Sequence, residues 1–238
     1  MKYFPCLAML GFILAIGYTP VQAQTNAAPA APAGLSQHTL DKHITPILTA
    51  LKLGDPAKEA RVRTIMTAQL EALDTWHTAN DAQIKTLWAA FSKARSKMNE
   101  TNADAALAKL DTVYAAIQPQ HDAFLAQLGE VLTPDQVETV KDVLTIYKVK
   151  ITYNAYQQIF HGLTAEQNAV VLKNLKAARE QAIDAGSMPE KSLFFKKYKI
   201  RMEAYLTTQG YDVKKCYQDF VAKQKAEMAA QTAAGDKN

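Results

Sequence analysis

From Leu35 onward, apolar residues recur in steps of three and four and almost never alternate in twos. A helix repeats its face about every 3.6 residues and a strand every two, so this spacing commits the chain to helices packed against one another. The expected fold class is all-α: a helical bundle built on a long antiparallel helix hairpin, with further C-terminal helices. The clearest stretch is Leu107, Leu110, Tyr114, Ile117, His121, Phe124 and Leu128, a seam that packs against a neighbouring helix.

Local signals divide the pattern. A first helix is expected around Ser36 to Leu51, bent or interrupted at Pro46, which has no N–H to donate. Gly54 stops it, and Asp55-Pro56 then supplies a capping carboxylate and a proline at the first helical position. A long helix should run from there to about Met98, burying Val62, Ile65, Leu73, Trp76, Ile84, Leu87 and Phe91. It forms a hairpin with the seam through a turn near Asn99 to Asp104, and Pro119 should kink the second arm. Thr133-Pro-Asp-Gln136 and Thr164-Ala-Glu-Gln167 both read as capping boxes. Between them, Val149 to Tyr156 is rich in β-branched and aromatic residues and is expected to be extended or only loosely helical. Gly186 closes one helix and Ser187 caps the next, and the last two helices are expected near Glu190 to Thr208 and Val213 to Gln231.

Ahead of the helices, Lys2, the apolar run from Leu7 to Ile16 and the ending Val21-Gln22-Ala23 have the three parts of a secretory signal peptide. Cleavage is expected after Ala23. A spanning helix needs about 20 apolar residues and this run is shorter, so no membrane span is expected once residues 1–23 are removed. Residues 24–34 are small, uncharged and proline-spaced, a flexible linker. An all-helical domain over 35–231 and a disordered tail over 232–238 complete the expected organisation, in a periplasmic or secreted protein. Lys and Arg number 27 against 23 Asp and Glu, a mild excess that gives no ground for nucleic-acid binding. Cys216 is the single cysteine left after cleavage, which excludes an internal disulfide; beside Tyr217 and Phe220 it reads as a small buried hydrophobe.

The catalytic signatures Gly-x-Ser-x-Gly, His-Glu-x-x-His, Cys-x-x-Cys and the glycine-rich phosphate loop do not occur. No catalytic residue, metal or cofactor is assigned. Asp74, His77 and Asp81 share one helix face, but a di-metal bundle supplies Glu-x-x-His twice, so a solvated face is expected there. His121 sits in an apolar seam and reads as a satisfied core histidine. An enzyme of unfamiliar type would draw on Glu180, Asp184 and Ser187, although helix capping explains Asp184 to Ser187 equally well. Seven of the ten tyrosines fall between Tyr147 and Tyr217, interleaved with Lys196, Lys197, Lys199, Arg201, Lys214 and Lys215. Rings with a polar tip beside flexible donors stack on and hydrogen-bond a sugar, or hold an acidic ligand. The same residues at helical spacing equally pack a core and solvate its outer face.

The run Ile151-Thr-Tyr-Asn-Ala-Tyr156, then Leu163-Thr-x-Glu-Gln167, Ala178-Arg-Glu180, Asp184-Ala-Gly-Ser187, Glu190-Lys191, Lys197-Tyr-Lys199 and Gln209-Gly-Tyr-Asp212, resembles the bacterial domain of unknown function family 3826. The resemblance covers roughly Leu40 to Lys215. It implies an exported protein, found mostly in Bacteroidetes and related bacteria near polysaccharide-degradation genes, described as sugar-binding and without an assigned activity. With the tyrosine cluster it nominates Tyr153, Tyr156, Arg179, Lys197, Tyr198, Arg201 and Tyr211 as ligand-binding residues, and a carbohydrate and envelope proteins as partners. After Lys-Tyr-Lys the family tends to carry Gly-Arg-Ile-Asn-Asn; here Ile200-Arg-Met-Glu-Ala204 keeps only Arg201. A looser similarity, the repeated Leu-Thr-x-x-Gln, is to periplasmic helical chaperones of the Spy and CpxP type. It implies the alternative function, a chaperone-like or stress-associated protein that binds polypeptide clients.

Overall fold

The computed structural model describes residues 34–235. The expected signal peptide, the linker up to Ala33 and the last three residues lie outside the described residues. Nine helices and no strand occur among the described residues. They are α1 (Gln37–Leu51), α2 (Pro56–Ser96), α3 (Glu100–Ala115), α4 (Gln118–Val131), α5 (Pro134–Leu144), α6 (Lys148–Ile159), α7 (Ala165–Ala182), α8 (Met188–Thr208) and α9 (Val213–Gly235). The expected hairpin is present: α2 pairs with α3 and, further along, with α4. Around it α1 packs on α2 and α5, α7 on α8, and α6 on α7 and α9. No helix among the described residues is long and apolar enough to cross a membrane.

The caps follow the sequence. Asp55 accepts the N–H groups of Ala57 and Lys58, both threonine capping boxes form in full, and Ser187 caps α8 through the N–H of Glu190. Three expectations change. Pro46 lies inside α1 without ending it; it is on the exposed face, where the carbonyl it leaves unpaired can reach water. Pro119 marks a break and not a kink: α3 ends at Ala115, two residues intervene, and Pro119 occupies the first turn of α4. Val149 to Tyr156 is regular helix within α6. There the burial of Val149, Tyr156 and Ile159 on one face outweighs the strand preference of the β-branched residues. In addition, α9 continues to Gly235, past the expected end at Gln231.

Two apolar cores result. One gathers Trp88, Phe91, Leu110, Tyr156, Leu175, Phe194 and Met202 from α2, α3, α6, α7 and α8. The other gathers Ile44, Ile47, Val62, Met66, Phe124, Leu128 and Val140 from α1, α2, α4 and α5. The long helix α2 serves both, Val62 and Met66 in one and Leu73 to Ala94 in the other. Buried polar residues collect near the changeover: Gln69 and His77 on α2, His121 on α4, and Asp184 just after α7.

Candidate functional site

Asp184 is the hub of that polar layer. It is 5% exposed, and it lies in the turn between α7 and α8, where its carboxylate reaches across to the hairpin. His121 Nδ1–H donates to Asp184 Oδ2 at 2.7 Å. Gln69 reaches Asp184 Oδ1 at 3.5 Å and accepts in turn from Gln120 at 2.9 Å. The Asp184 carbonyl oxygen accepts from His77 Nε2–H at 2.7 Å, which fixes that ring's tautomer and leaves its buried Nδ1 without a partner. The hydrogen bond to Asp184 is the chief reason the His121 imidazole holds its proton above the ordinary histidine range. Gly186 lies flat against the His77 ring: a Cβ there would stand 2.8 Å from Cγ, so glycine is required by close approach.

Two ionic groups flank the hub. Glu190 accepts from the Tyr114 hydroxyl and from the N–H of Gly186 at 2.9 Å. Burial beside this carboxylate pushes the Tyr114 hydroxyl far up. Lys191 donates to the Leu144 carbonyl at 3.0 Å, and burial pushes its ammonium down to about 8. On the other side, Arg179 is 2% exposed and bonds Glu138 at 2.6 Å and Asp142 at 2.5 Å, while Lys141 bonds Glu180 at 2.9 Å. A buried charge is tolerated only when paired and hydrogen-bonded, and these pairs tie α5 to α7. Of the enzyme candidates, Asp184 and Glu180 are engaged in this way and Ser187 caps α8. His77 points inward while Asp74 faces solvent and Asp81 pairs with Lys85, so the helix-face trio does not converge. The solvated face expected there is corrected for His77, whose partner lies 107 residues along the chain.

The seven nominated residues fall into three neighbourhoods. Arg179 is in the ionic group just described, with its guanidinium turned inward. Lys197 is buried and bonds Asp111 at 2.5 Å and Gln181 at 3.2 Å. Beside it Arg201 stacks 4.9 Å above the Tyr198 ring, with Tyr198 largely buried and Arg201 exposed. The third neighbourhood is the first turn of α7. There the half-buried Tyr153 donates to Asn168 Oδ1 at 3.2 Å, and Gln157 donates to the same oxygen. The half-buried Tyr211 lies 3.4 Å from both Gln167 Oε1 and the His161 carbonyl. Tyr156 is buried beneath, tilted on Phe160, which itself meets Tyr211 and Tyr217 edge-on.

This third neighbourhood is the arrangement with unspent chemistry. A carboxamide has two donors and two acceptor positions, and a hydroxyl can donate and accept. Asn168 spends one N–H on the Leu163 carbonyl, Gln157 is exposed, and both keep hydrogen-bonding capacity beside two aromatic rings. Asn168 and Gln157 were not singled out from the sequence: Asn168 follows the capping Gln167 as an ordinary polar helix residue, and it meets Tyr153 and Gln157 only once α6 packs on α7. His121, Gln69 and the α5 trio Glu138, Lys141 and Asp142 were likewise missed as partners, although their one-turn spacing puts that trio on one face.

A comparison with curated proteins finds no match. The family model described as "Protein of unknown function (DUF3826)" matches residues 38–226, and those residues carry both cores, the polar layer and the tyrosine–amide face; the chain belongs to that family.

Proposed function

We propose that the chain is an exported, non-catalytic helical protein that binds a sugar or oligosaccharide and assists polysaccharide processing. The observation that carries this reading is the face at the start of α7, where Tyr153 and Tyr211 stand beside the carboxamides of Gln157 and Asn168 and of the largely buried capping residue Gln167. Sugar hydroxyls are recognised by such planar, neutral donor and acceptor groups, and the aromatic rings supply apolar surface for the sugar's C–H face. Tyr156 backs the face through Phe160, and Arg201 is a further exposed cation, stacked on the largely buried Tyr198 ring. Arg179 and Lys197 serve the interior.

Calorimetric titration of the mature chain with pectic and other plant-wall oligosaccharides is expected to give saturable heat, weakened at least tenfold by Tyr211→Ala. Absence of heat across the panel overturns the proposal. If the chain instead suppresses client aggregation at near-stoichiometric amounts, the chaperone-like reading takes its place. Its surface would be the exposed Ile146, Tyr147 and Ile151.

A further inference from the structure

The junction between α5 and α6 is strained, and its exposed side chains are apolar. Ile146 and Tyr147 are adjacent left-handed residues, φ 52° and 51°, where an L side chain is disfavoured and a β-branched one most of all. The junction is nonetheless firmly held. The Tyr147 N–H donates to the Asp142 carbonyl at 2.7 Å and the Ile146 N–H to the Val143 carbonyl at 3.0 Å, while Lys191 of α8 donates to the Leu144 carbonyl at 3.0 Å. Glycine at either position would remove the strain. The chain instead carries two large side chains there and presents both to solvent, Ile146 53% exposed and Tyr147 beside it, so the core does not account for them. Strain that the surroundings hold in place, at an exposed apolar point, marks a surface kept for contact.

The patch continues into both neighbouring helices. Ile151, 60% exposed, donates its N–H to the Tyr147 carbonyl one turn earlier, which puts the two side chains on one helix face. The bond from Lys191 brings the first turn of α8 alongside, with the exposed Met188 three residues before that lysine. Lys150 and Lys148 stand three residues from Tyr147 and Ile151, the spacing of helix neighbours, and the Lys148 ammonium lies 5.7 Å above the Phe195 ring. No Asp or Glu occurs in the sequence between Asp142, which Arg179 engages, and Glu166. This mixture matches the boundary of an anionic bilayer: aliphatic side chains enter the acyl edge, tyrosine sits at the headgroups, and lysine stems run past apolar groups to reach phosphates. The apolar members have nothing to offer a free anion. They are also few: a specific protein interface takes roughly 20–30 residues a side, whereas a peripheral contact with lipid needs only a small apolar point beside cations. We infer that the α5–α6 junction docks on an anionic lipid surface, with Ile146, Tyr147, Ile151 and Met188 entering the headgroup boundary and Lys148 and Lys150 meeting lipid phosphates. The surface is separate from the tyrosine–amide face and does not rest on it.

The test is co-sedimentation of the full mature chain with vesicles of phosphatidylcholine and phosphatidylglycerol in equal parts, set against vesicles of phosphatidylcholine alone. Saturable binding to the anionic vesicles is expected, at least tenfold stronger than to the neutral ones and weakened by added salt. The double variant Ile146→Asn, Ile151→Gln should bind at least tenfold more weakly. Asparagine tolerates left-handed backbone and both side chains face solvent, so this variant should keep its helical circular dichroism. Were it to unfold, Tyr147→Trp decides: with brominated acyl chains its added fluorescence should be quenched on binding, while the native chain, with Trp88 buried and Trp76 half-buried, keeps its signal. No binding to the anionic vesicles, equal binding by the folded double variant, or a Tyr147→Trp chain that binds without quenching would each overturn the inference. Suppression of client aggregation that the double variant loses, without vesicle binding, would overturn it in favour of a polypeptide surface.

Discussion

At the scale of single residues, Asp184 does the most. It is held by two histidines and a glutamine from the hairpin, and the imidazole of His121 keeps its proton more tightly because of that carboxylate. An imidazole whose folded-state pKa lies above the unfolded value of 6.5 contributes stability that is full below that pH and lost as pH rises through the folded-state value. Urea unfolding of the native chain should therefore give a steeper loss of stability from pH 6 upward than His121→Gln shows over the same range. Identical slopes would contradict the assignment. His43, held below the ordinary range by burial, acts with the opposite sign and is present in both chains, so the difference isolates His121. From sequence, His121 reads correctly as a satisfied core histidine. Its partner was not legible, because a pairing across 63 residues leaves no mark on local spacing.

Among the elements, the α5–α6 junction departs most from local preference. Ile146 and Tyr147 both have left-handed backbone, φ 52° and 51°, a conformation that costs an L-residue roughly 1–2 kcal/mol and is least tolerated by a β-branched one. Ile146 is 53% exposed, so removing its side chain forfeits little burial. Ile146→Gly is accordingly expected to raise unfolding stability by about 1 kcal/mol, measured by denaturant titration; a loss of stability would show that the side chain is held by more than the solvent-facing contacts. The same junction explains why Val149 to Tyr156 misleads as sequence. Its composition favours a strand, but Val149, Tyr156 and Ile159 are buried on one face with Thr152 and Tyr153 half-buried between them, in a helix that packs on α7 and α9, and periodicity prevails over propensity. Where the chain carries explicit caps, at Asp55, Thr133, Thr164 and Ser187, sequence and structure agree to within a residue, since a cap is a local hydrogen bond that local sequence specifies.

For the molecule as a whole, the helical class and the hairpin were legible because both depend on spacing alone. The division into two cores was not, because the apolar seam runs through His121 without interruption and only the approach of Asp184 turns that position into a polar layer. The nominated residues were legible as residue types but not as a group: Arg179 and Lys197 carry charge and are consumed by Glu138, Asp142 and Asp111, while Tyr153 and Tyr211 come to stand beside the carboxamides of Asn168 and Gln167. Export is the assumption that puts this surface in contact with glycans. Mass spectrometry of the chain recovered from an exporting cell should show Gln24 as the first residue, and a protein still beginning at Met1 would remove the compartment. The most direct test of the carbohydrate reading is to follow the side-chain amide signals of Gln157, Gln167 and Asn168 by nuclear magnetic resonance while a neutral plant-wall oligosaccharide is added. The account predicts that these three signals shift together and saturate, and that Tyr153→Ala and Tyr211→Ala abolish the response; signals that stay fixed through the titration would contradict it.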